Sequence, residues 1–246
     1  MTHTKRLILI FLIGIMITAC KKEETIQTGK LIGFITLYDE NGNLLQDKSG
    51  VNINAIGSSS FNTTSTSDGR FEIDNLPMGT YNINFTKQGF AETKRIGLNF
   101  IGGTNPTIIA QSMCKPTTTS VNLLSLTFDT VNYEVKANCK INSNVPIGSE
   151  EFVRFYYGTS DTVSYTNYDY SSGIGVDKLA NDTMTHSIWI DGITLNNYYA
   201  SGTKIYIVAY GEPSNLSTTY TNINTGKTIY PGLNLKASQI KSIIIP

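Results

Sequence analysis

Alternation of apolar and polar residues, interrupted at short intervals by turn-forming pairs, governs most of this chain. Leu31, Ile35 and Leu37 alternate with polar neighbours, and Asn41-Gly42 and Asp68-Gly69 supply the residues that tight hairpins prefer. A period of two indicates strands that bury one face against a core. No convincing amphipathic helical pattern follows the first 20 residues, so the sequence predicts an all-β protein.

The composition supports β-sandwiches with polar loops and argues against a nucleic-acid partner. Only 15% of the residues are charged, and 19 Lys and Arg are matched by 19 Asp and Glu. A protein that binds a phosphate backbone usually carries a basic surplus or a basic patch. Neither is present in the sequence, so no nucleic-acid partner is predicted.

The first 19 residues have the pattern of a secretory signal peptide. Lys5 and Arg6 precede a nearly unbroken apolar run from Leu7 to Ile17, which suits the apolar core of such a signal. A short transmembrane anchor is the alternative. The run falls short of the roughly 20 apolar residues that span a bilayer, which favours the signal peptide.

The run ends in Ile17-Thr18-Ala19-Cys20, which resembles the lipobox of bacterial lipoproteins. The resemblance implies acylation of Cys20, which becomes the mature N-terminus and attaches the protein to a membrane. Acyl chains contribute about 0.8 kcal/mol per buried CH₂, so two or three of them anchor a protein stably. Residues 20–29 are polar and are expected to form a tether.

The residues after the cysteine favour the outer membrane and the cell surface. Lys21-Lys22-Glu23-Glu24 lacks the Asp of many inner-membrane retention signals. It resembles the surface-export signal of lipoproteins in some Gram-negative bacteria. The periplasmic face of the outer membrane stays open as the alternative.

Residues 30–115 are predicted to form a first β-sandwich. The Asp68-Gly69 turn, followed by Phe71, and the run Leu76-Pro77-Met78-Gly79-Thr80-Tyr81 resemble the carboxypeptidase regulatory-like domain. That family is a transthyretin-like (prealbumin-like) sandwich of about seven strands, and its members include accessory domains without catalytic residues. Ser58–Thr66 is expected to be a long polar loop.

A linker at residues 116–119 is predicted to lead into a second β-sandwich at 120–246. The strand-like run from Gly202 to Gly211 resembles the penultimate strand of fibronectin type III and immunoglobulin-like domains. Ile205 occupies the place of the expected corner tyrosine, and Trp189 comes late. The fold class is therefore two β-sandwich domains in tandem after a lipoprotein signal peptide, with one continuous β domain as the alternative.

Cys114 and Cys139 are the two cysteines besides Cys20. They could pair in an oxidising compartment. Cys139, however, shares its alternation phase with Val131 and Ile141, and that phase is expected to face a core. Two free, buried thiols are favoured.

Searches for catalytic and metal-binding patterns give negative results. The chain after Cys20 has one histidine, His186, and no paired-histidine or CxxC spacing that would bind zinc. Gly226-Lys227-Thr228 and Asp39–Asn43 resemble phosphate and calcium loops but lack required positions, so both are interpreted as turns. No catalytic residue, metal or cofactor is predicted.

Two groups of residues are candidates for functional sites. Tyr165, Tyr168 and Tyr170 could bind a glycan or a protein partner from an exposed loop. In the simpler interpretation, Tyr156 or Tyr157 packs in the core and the other tyrosines lie on a polar loop without a ligand. Thr130, Thr162 and Thr183 follow aspartates in a pattern that resembles the O-glycosylation sites of some exported proteins.

The favoured function is a non-enzymatic, membrane-anchored module that binds or presents a glycan or a protein. A structural subunit of a cell-envelope or fimbria-like assembly is the alternative, because the apolar run Ile243–Ile245 could pair with another chain. An accessory component of a hydrolase or nutrient-uptake system is a further alternative. A hydrolase would need His186 or an unrecognised carboxylate pair.

Overall fold

The computed structural model describes residues 27–129, 131, 134–142, 150–177, 183–189, 198–214 and 218–245. Among these residues there are strands and turns but no helix, which confirms the all-β prediction. The signal peptide, Cys20 and residues 21–26 lie outside the described residues. No described helix is long and apolar enough to cross a membrane.

The first half of the chain forms two facing sheets. The seven strands are β1 Thr28–Tyr38, β2 Asn52–Ile56, β3 Ser60–Thr64, β4 Arg70–Pro77, β5 Gly79–Thr86, β6 Thr93–Phe100 and β7 Thr107–Cys114. One sheet has the order β4-β1-β7 and the other has the order β3-β2-β5-β6. Strand β7 runs parallel to β1, whereas the other pairs are antiparallel.

The apolar phase of the alternation fills the space between these two sheets. Phe71, Leu76 and Tyr81 are all at most 2% exposed, which confirms that they share the core. Gly42 and Gly69 have φ values of 80° and 90°, in the region that turns of this kind require. The polar loop predicted at Ser58–Thr66 is wrong, because strand β3 lies within it and pairs with β2.

The second half is a second pair of facing sheets. Its strands are β8 Ser120–Asp129, β9 Glu134–Asn142, β10 Glu150–Gly158, β11 Tyr170–Asp177, β12 Thr183–Trp189, β13 Lys204–Glu212, β14 Tyr220–Thr221, β15 Thr228–Ile229 and β16 Lys241–Ile244. The larger sheets have the orders β11-β10-β13-β16 and β12-β9-β8, and β14 pairs with β15 in a small hairpin.

Strand β10 is covered on both faces. Phe155 and Tyr157 pack into the core between the two larger sheets. Tyr156 points to the opposite face, into a cluster with Tyr210 and Leu233. Both faces can be apolar only because the chain after β13 and the β10–β11 connection cover the outer side of this sheet.

The two buried cysteines, Val131 and the C-terminal run each had a predicted position. Cys114 and Cys139 are free and buried, as favoured. Val131 does not face the core, because it lies in the turn between β8 and β9 and is 87% exposed. The C-terminal apolar run pairs within the molecule: β16 is antiparallel to β13, and Ile245 is 1% exposed.

The predicted linker is tied to both halves of the molecule. The backbone N–H of Thr118 donates to Glu40 in the first half at 2.5 Å, and Thr117 N–H donates to the Gly232 carbonyl at 2.9 Å. The Ser214 N–H donates to the Glu40 carbonyl at 3.1 Å. These bonds hold the two sandwiches against one another, while the domain boundaries at 116–119 stay a prediction.

Candidate functional site

A ligand-sized concavity lies where the β14–β15 hairpin of the second half packs on β6 of the first. Its floor is the outer face of the β3-β2-β5-β6 sheet and its wall is the hairpin. We call this concavity the amide groove. It is lined by Ile56, Asn82, Asn84, Lys94, Ile96, Tyr220, Thr221, Asn222, Ile223 and Asn224.

The floor follows from the alternation in β2 and β5. Ile53, Ala55, Ile83 and Phe85 are fully buried, so the intervening residues face solvent. These intervening residues are mostly asparagines, and Asn84 of β5 lies opposite Lys94 of β6. Strands β2 and β5 therefore present primary amides rather than charges to the groove, and Lys94 of β6 is the charged residue beside them.

The asparagine side chains of the groove differ in whether they already make hydrogen bonds within the protein. The Asn82 side-chain oxygen accepts the Gly97 N–H at 2.9 Å, which fixes this side chain. The Asn222 oxygen accepts the Asn224 N–H at 2.9 Å in the hairpin turn. Asn84 makes no side-chain hydrogen bond within the described part of the protein, so its donor and acceptor are both available.

The wall of the groove combines an aromatic ring with aliphatic side chains. Lys94 Nζ lies 5.8 Å from the centroid of the Tyr220 ring and 3.1 Å from Glu92 Oε1, so its charge is compensated. Burial raises the pKa of Tyr220, which keeps the phenol protonated. Ile56 and Ile223 are 41% and 64% exposed and extend the apolar surface beside the ring.

The arrangement suits a neutral, hydroxyl-rich ligand. A primary amide offers two donors and an acceptor, which can match adjacent hydroxyl groups. An aromatic ring can stack on an apolar ring face of the same ligand. The groove has a volume of about 330 Å³, within the roughly 300–1,000 Å³ of small-molecule sites.

The three candidate tyrosines lie elsewhere, on the outer face of β10 and at its edge. Tyr168 is 7% exposed and donates to the Thr228 carbonyl at 2.7 Å. Tyr165 packs edge-on against Tyr210 with centroids 5.8 Å apart. Tyr170 begins β11 instead of lying in a loop. Their assignment as ligand-binding residues stays a prediction.

One surface tyrosine, Tyr198, extends this region, and no local sequence pattern indicated it. The Tyr170 ring lies between Tyr157 and Tyr198, at centroid distances of 5.5 Å and 4.9 Å. Tyr157 is fully buried, whereas Tyr198 is 53% exposed. The stack therefore runs from the core to the surface, and Tyr198 offers a second, smaller aromatic surface.

The remaining candidate residues are only partly described. Thr162 is exposed and its hydroxyl accepts from Asn167 Nδ2 at 3.1 Å. Thr183 lies in β12, where only the backbone is described, and Thr130 lies outside the described residues. Cys20 also lies outside them, so its lipidation and the three O-glycosylation sites stay predictions.

A search for other chemistry within the described residues finds no group of three His, Cys, Asp or Glu side chains that could bind a metal ion. A smaller cavity lies at the junction of the two sandwiches, with Glu40, Glu151 and Ser214 among its lining residues. His186 lies on β12, paired in backbone register with Ala137, and its side chain lies outside the described residues.

The family comparison identifies the first sandwich. Residues 35–111 match the family model of the carboxypeptidase regulatory-like domain. This match confirms the resemblance that was based on the Asp-Gly turn and the Leu-Pro-x-Gly-x-Tyr run. Residues 35–111 are therefore a carboxypeptidase regulatory-like domain, and no curated protein matches the chain.

Several solved structures are similar to this chain at low sequence identity. A DUF3823 family protein from Bacteroides uniformis is 15% identical over 89% of this chain and 100% of its own, with a TM-score of 0.33. DUF3823 family proteins from Bacteroides ovatus and Parabacteroides merdae are 17% and 13% identical, each with a TM-score of 0.33. They cover 89% and 88% of this chain, and 100% and 98% of their own. At these values, the function of this chain has to be argued from its own residues.

Proposed function

We propose that this protein is a non-enzymatic glycan-binding module, held at the outer surface of the outer membrane by a lipid on Cys20, and that the amide groove is its binding site. The observation that carries the proposal is the groove itself: amides on its floor and Tyr220 on its wall. Its one cation, Lys94, is paired with Glu92, so the site favours hydroxyl groups over anions.

Two further features support the groove as a binding site. Its floor and wall come from different halves of the chain, and the hydrogen bonds of Glu40 to Thr118 and Ser214 hold those halves together. The groove is therefore formed before a ligand arrives, which reduces the ordering cost of binding. Ile56 and Ile223 remain partly exposed, and a ligand would remove them from water.

Tyr220→Ala and Asn84→Ala are each expected to weaken the binding of a neutral oligosaccharide. We expect a loss of roughly ten-fold for Tyr220→Ala, because truncation of a central aromatic residue typically costs more than 1 kcal/mol. Affinity electrophoresis of the folded chain in gels containing neutral polysaccharides would select the ligand. Isothermal titration calorimetry with its oligosaccharides would then measure the loss.

Tyr198→Ala is the matched control for Tyr220→Ala, because it removes an exposed tyrosine outside the groove. The Asn84 side chain makes no hydrogen bond to any other described residue, so Asn84→Ala separates lost binding from a disturbed hairpin. Unchanged affinity in both groove variants would reject the groove as the site. Loss of binding in Tyr198→Ala alone would instead move the site to the Tyr170–Tyr198 stack.

Cys20→Ala is expected to release or mislocalise the protein, because the variant lacks the thiol that would carry the lipid. Membrane and soluble fractions of cells that express each form would be compared by immunoblot, with Cys139→Ala as the control cysteine. Surface exposure would be read from protease accessibility in intact cells. Retention of Cys20→Ala in the membrane fraction would contradict the lipid anchor.

A further inference from the structure

We infer that the ligand is a linear, neutral polysaccharide chain that lies across all four strands of the β3-β2-β5-β6 sheet, with one end in the amide groove. The inference rests on the proposed function and names the ligand's shape and length. It is carried by a row of outward-facing side chains that continues from the groove floor to the far edge of the sheet.

The strand register aligns this row. Asn62 of β3 lies opposite Asn54 of β2, and Asn54 lies opposite Asn84 of β5. Asn84 in turn lies opposite Lys94 of β6, beneath the hairpin. One amide from each of three neighbouring strands therefore stands in a line that leads into the groove.

Both flanks of the row are polar and almost uncharged. On one side, Asn52 lies between Thr64 and Thr86. On the other side, Ile56 lies between Ser60 and Asn82. The three strands β2, β3 and β5 thus place hydroxyl and amide groups on this face, with Ile56 as an apolar contact.

The amides outside the groove are available to a ligand. Asn62 makes no side-chain hydrogen bond among the described residues. The Asn54 oxygen accepts from Ser60 Oγ at 2.7 Å, which orients its NH₂ group and leaves that donor unused. Donors and acceptors of this kind satisfy hydroxyl groups, and Lys94, the cation at the groove end of the row, is paired with Glu92.

The geometry of the row matches a repeating chain better than a single sugar. Neighbouring strands lie roughly 4.8 Å apart, so the row from Lys94 to Asn62 extends roughly 14 Å. The distance between neighbouring strands is close to the length of one hexose unit in a polysaccharide. Successive sugars would therefore meet successive strands. A monosaccharide would occupy the groove and leave Asn54 and Asn62 without contact.

The test measures how affinity depends on the length of the oligosaccharide and on which asparagine of the row is substituted. Affinities of the wild-type chain would be measured by calorimetry for cello-, manno-, xylo- and malto-oligosaccharides, from the monosaccharide to the hexasaccharide. We expect affinity to rise with length up to about four sugars in the series that binds. We also expect Asn62→Ala to weaken the hexasaccharide about five-fold, the value of one hydrogen bond, and to leave the disaccharide unchanged.

Asn122→Ala, which removes an exposed asparagine from β8, is the matched control and should leave all affinities unchanged. Affinity that stops rising at the disaccharide, with no effect of Asn62→Ala, would overturn the extended chain while the groove variants still support the proposed function. Preference for alginate or heparin over every neutral series would also overturn it. Absence of binding by any saccharide would reject both proposals.

Discussion

Arg154→Met is expected to destabilise the protein by about 3–5 kcal/mol, the usual effect of removing one partner from a buried ion pair. Arg154 Nε donates to Glu212 Oε1 at 2.6 Å, and the two side chains are 8% and 1% exposed. The Tyr230 ring covers the guanidinium, with its centroid 3.5 Å from Cζ. The variant leaves the Glu212 carboxylate buried without its cation.

The loss should depend on pH in a defined direction. Burial raises the pKa of Glu212 even though Arg154 lowers it. A carboxyl group with a raised folded-state pKa contributes its full stability below the unfolded-state pKa and loses it as the pH rises through the folded-state pKa. Without Arg154 the pKa rises further, so the deficit of the variant should be small in acid and grow toward neutral pH.

Thermal and urea unfolding at several pH values would measure this. A loss of 3–5 kcal/mol corresponds to a fall in Tm of roughly 6–20 °C for a chain of this size. Lys30→Met removes a cation from an exposed ion pair and should cost less than about 1 kcal/mol. A deficit of Arg154→Met that stays constant from acid to neutral pH would contradict the uncompensated charge.

The double variant Arg154→Met/Glu212→Leu separates the charge from the packing. Replacement of a buried ion pair by apolar residues of similar size is often neutral or stabilising. We therefore expect the double variant to recover most of the stability that Arg154→Met loses. Failure to recover would show that contact with Tyr230, rather than an uncompensated carboxylate, dominates the loss.

Local sequence pattern predicted most strands because alternation and turn chemistry act over a few residues. Strands β3 and β11 are among those it missed, and β11 contains Ser171, Ser172 and Gly173, of which glycine is depleted in strands. A side chain at Gly173 would overlap the Arg154 guanidinium on the neighbouring strand. Gly173 is therefore explained by a contact with another part of the chain, which no local pattern contains.

The amide groove and the row of asparagines that leads into it were missed for a related reason. Asn54 and Asn84 occupy the polar phase of their strands, which sequence alone interprets as the solvent side. Their alignment with Asn62 depends on strand register, and the position of Tyr220 depends on how the hairpin packs on β6. The closely spaced tyrosines were easier to recognise in the sequence. Tyr168, however, is 7% exposed and packs against Tyr156 of β10.

Gly33→Val is expected to destabilise the protein by about 3 kcal/mol, the upper end of the usual cost of overpacking a core. Strand propensity alone predicts that Gly33→Val stabilises the protein, since Val favours strands and Gly weakens them. Gly33 of β1 lies directly opposite Phe71 of β4, and a Cβ at Gly33 would overlap the Phe71 ring. Packing should therefore outweigh propensity at this position.

A double-mutant cycle decides between these two effects. Phe71→Ala alone should cost about 3–5 kcal/mol, and in that background Gly33→Val should cost little or even stabilise, because the ring no longer occupies the space. Gly79→Val is the matched control, since the nearest atom to its Cβ is a Tyr81 ring carbon at 3.7 Å. Urea unfolding of the four members of the cycle gives the coupling, and additive losses would mean that Phe71 is not the reason for glycine at position 33.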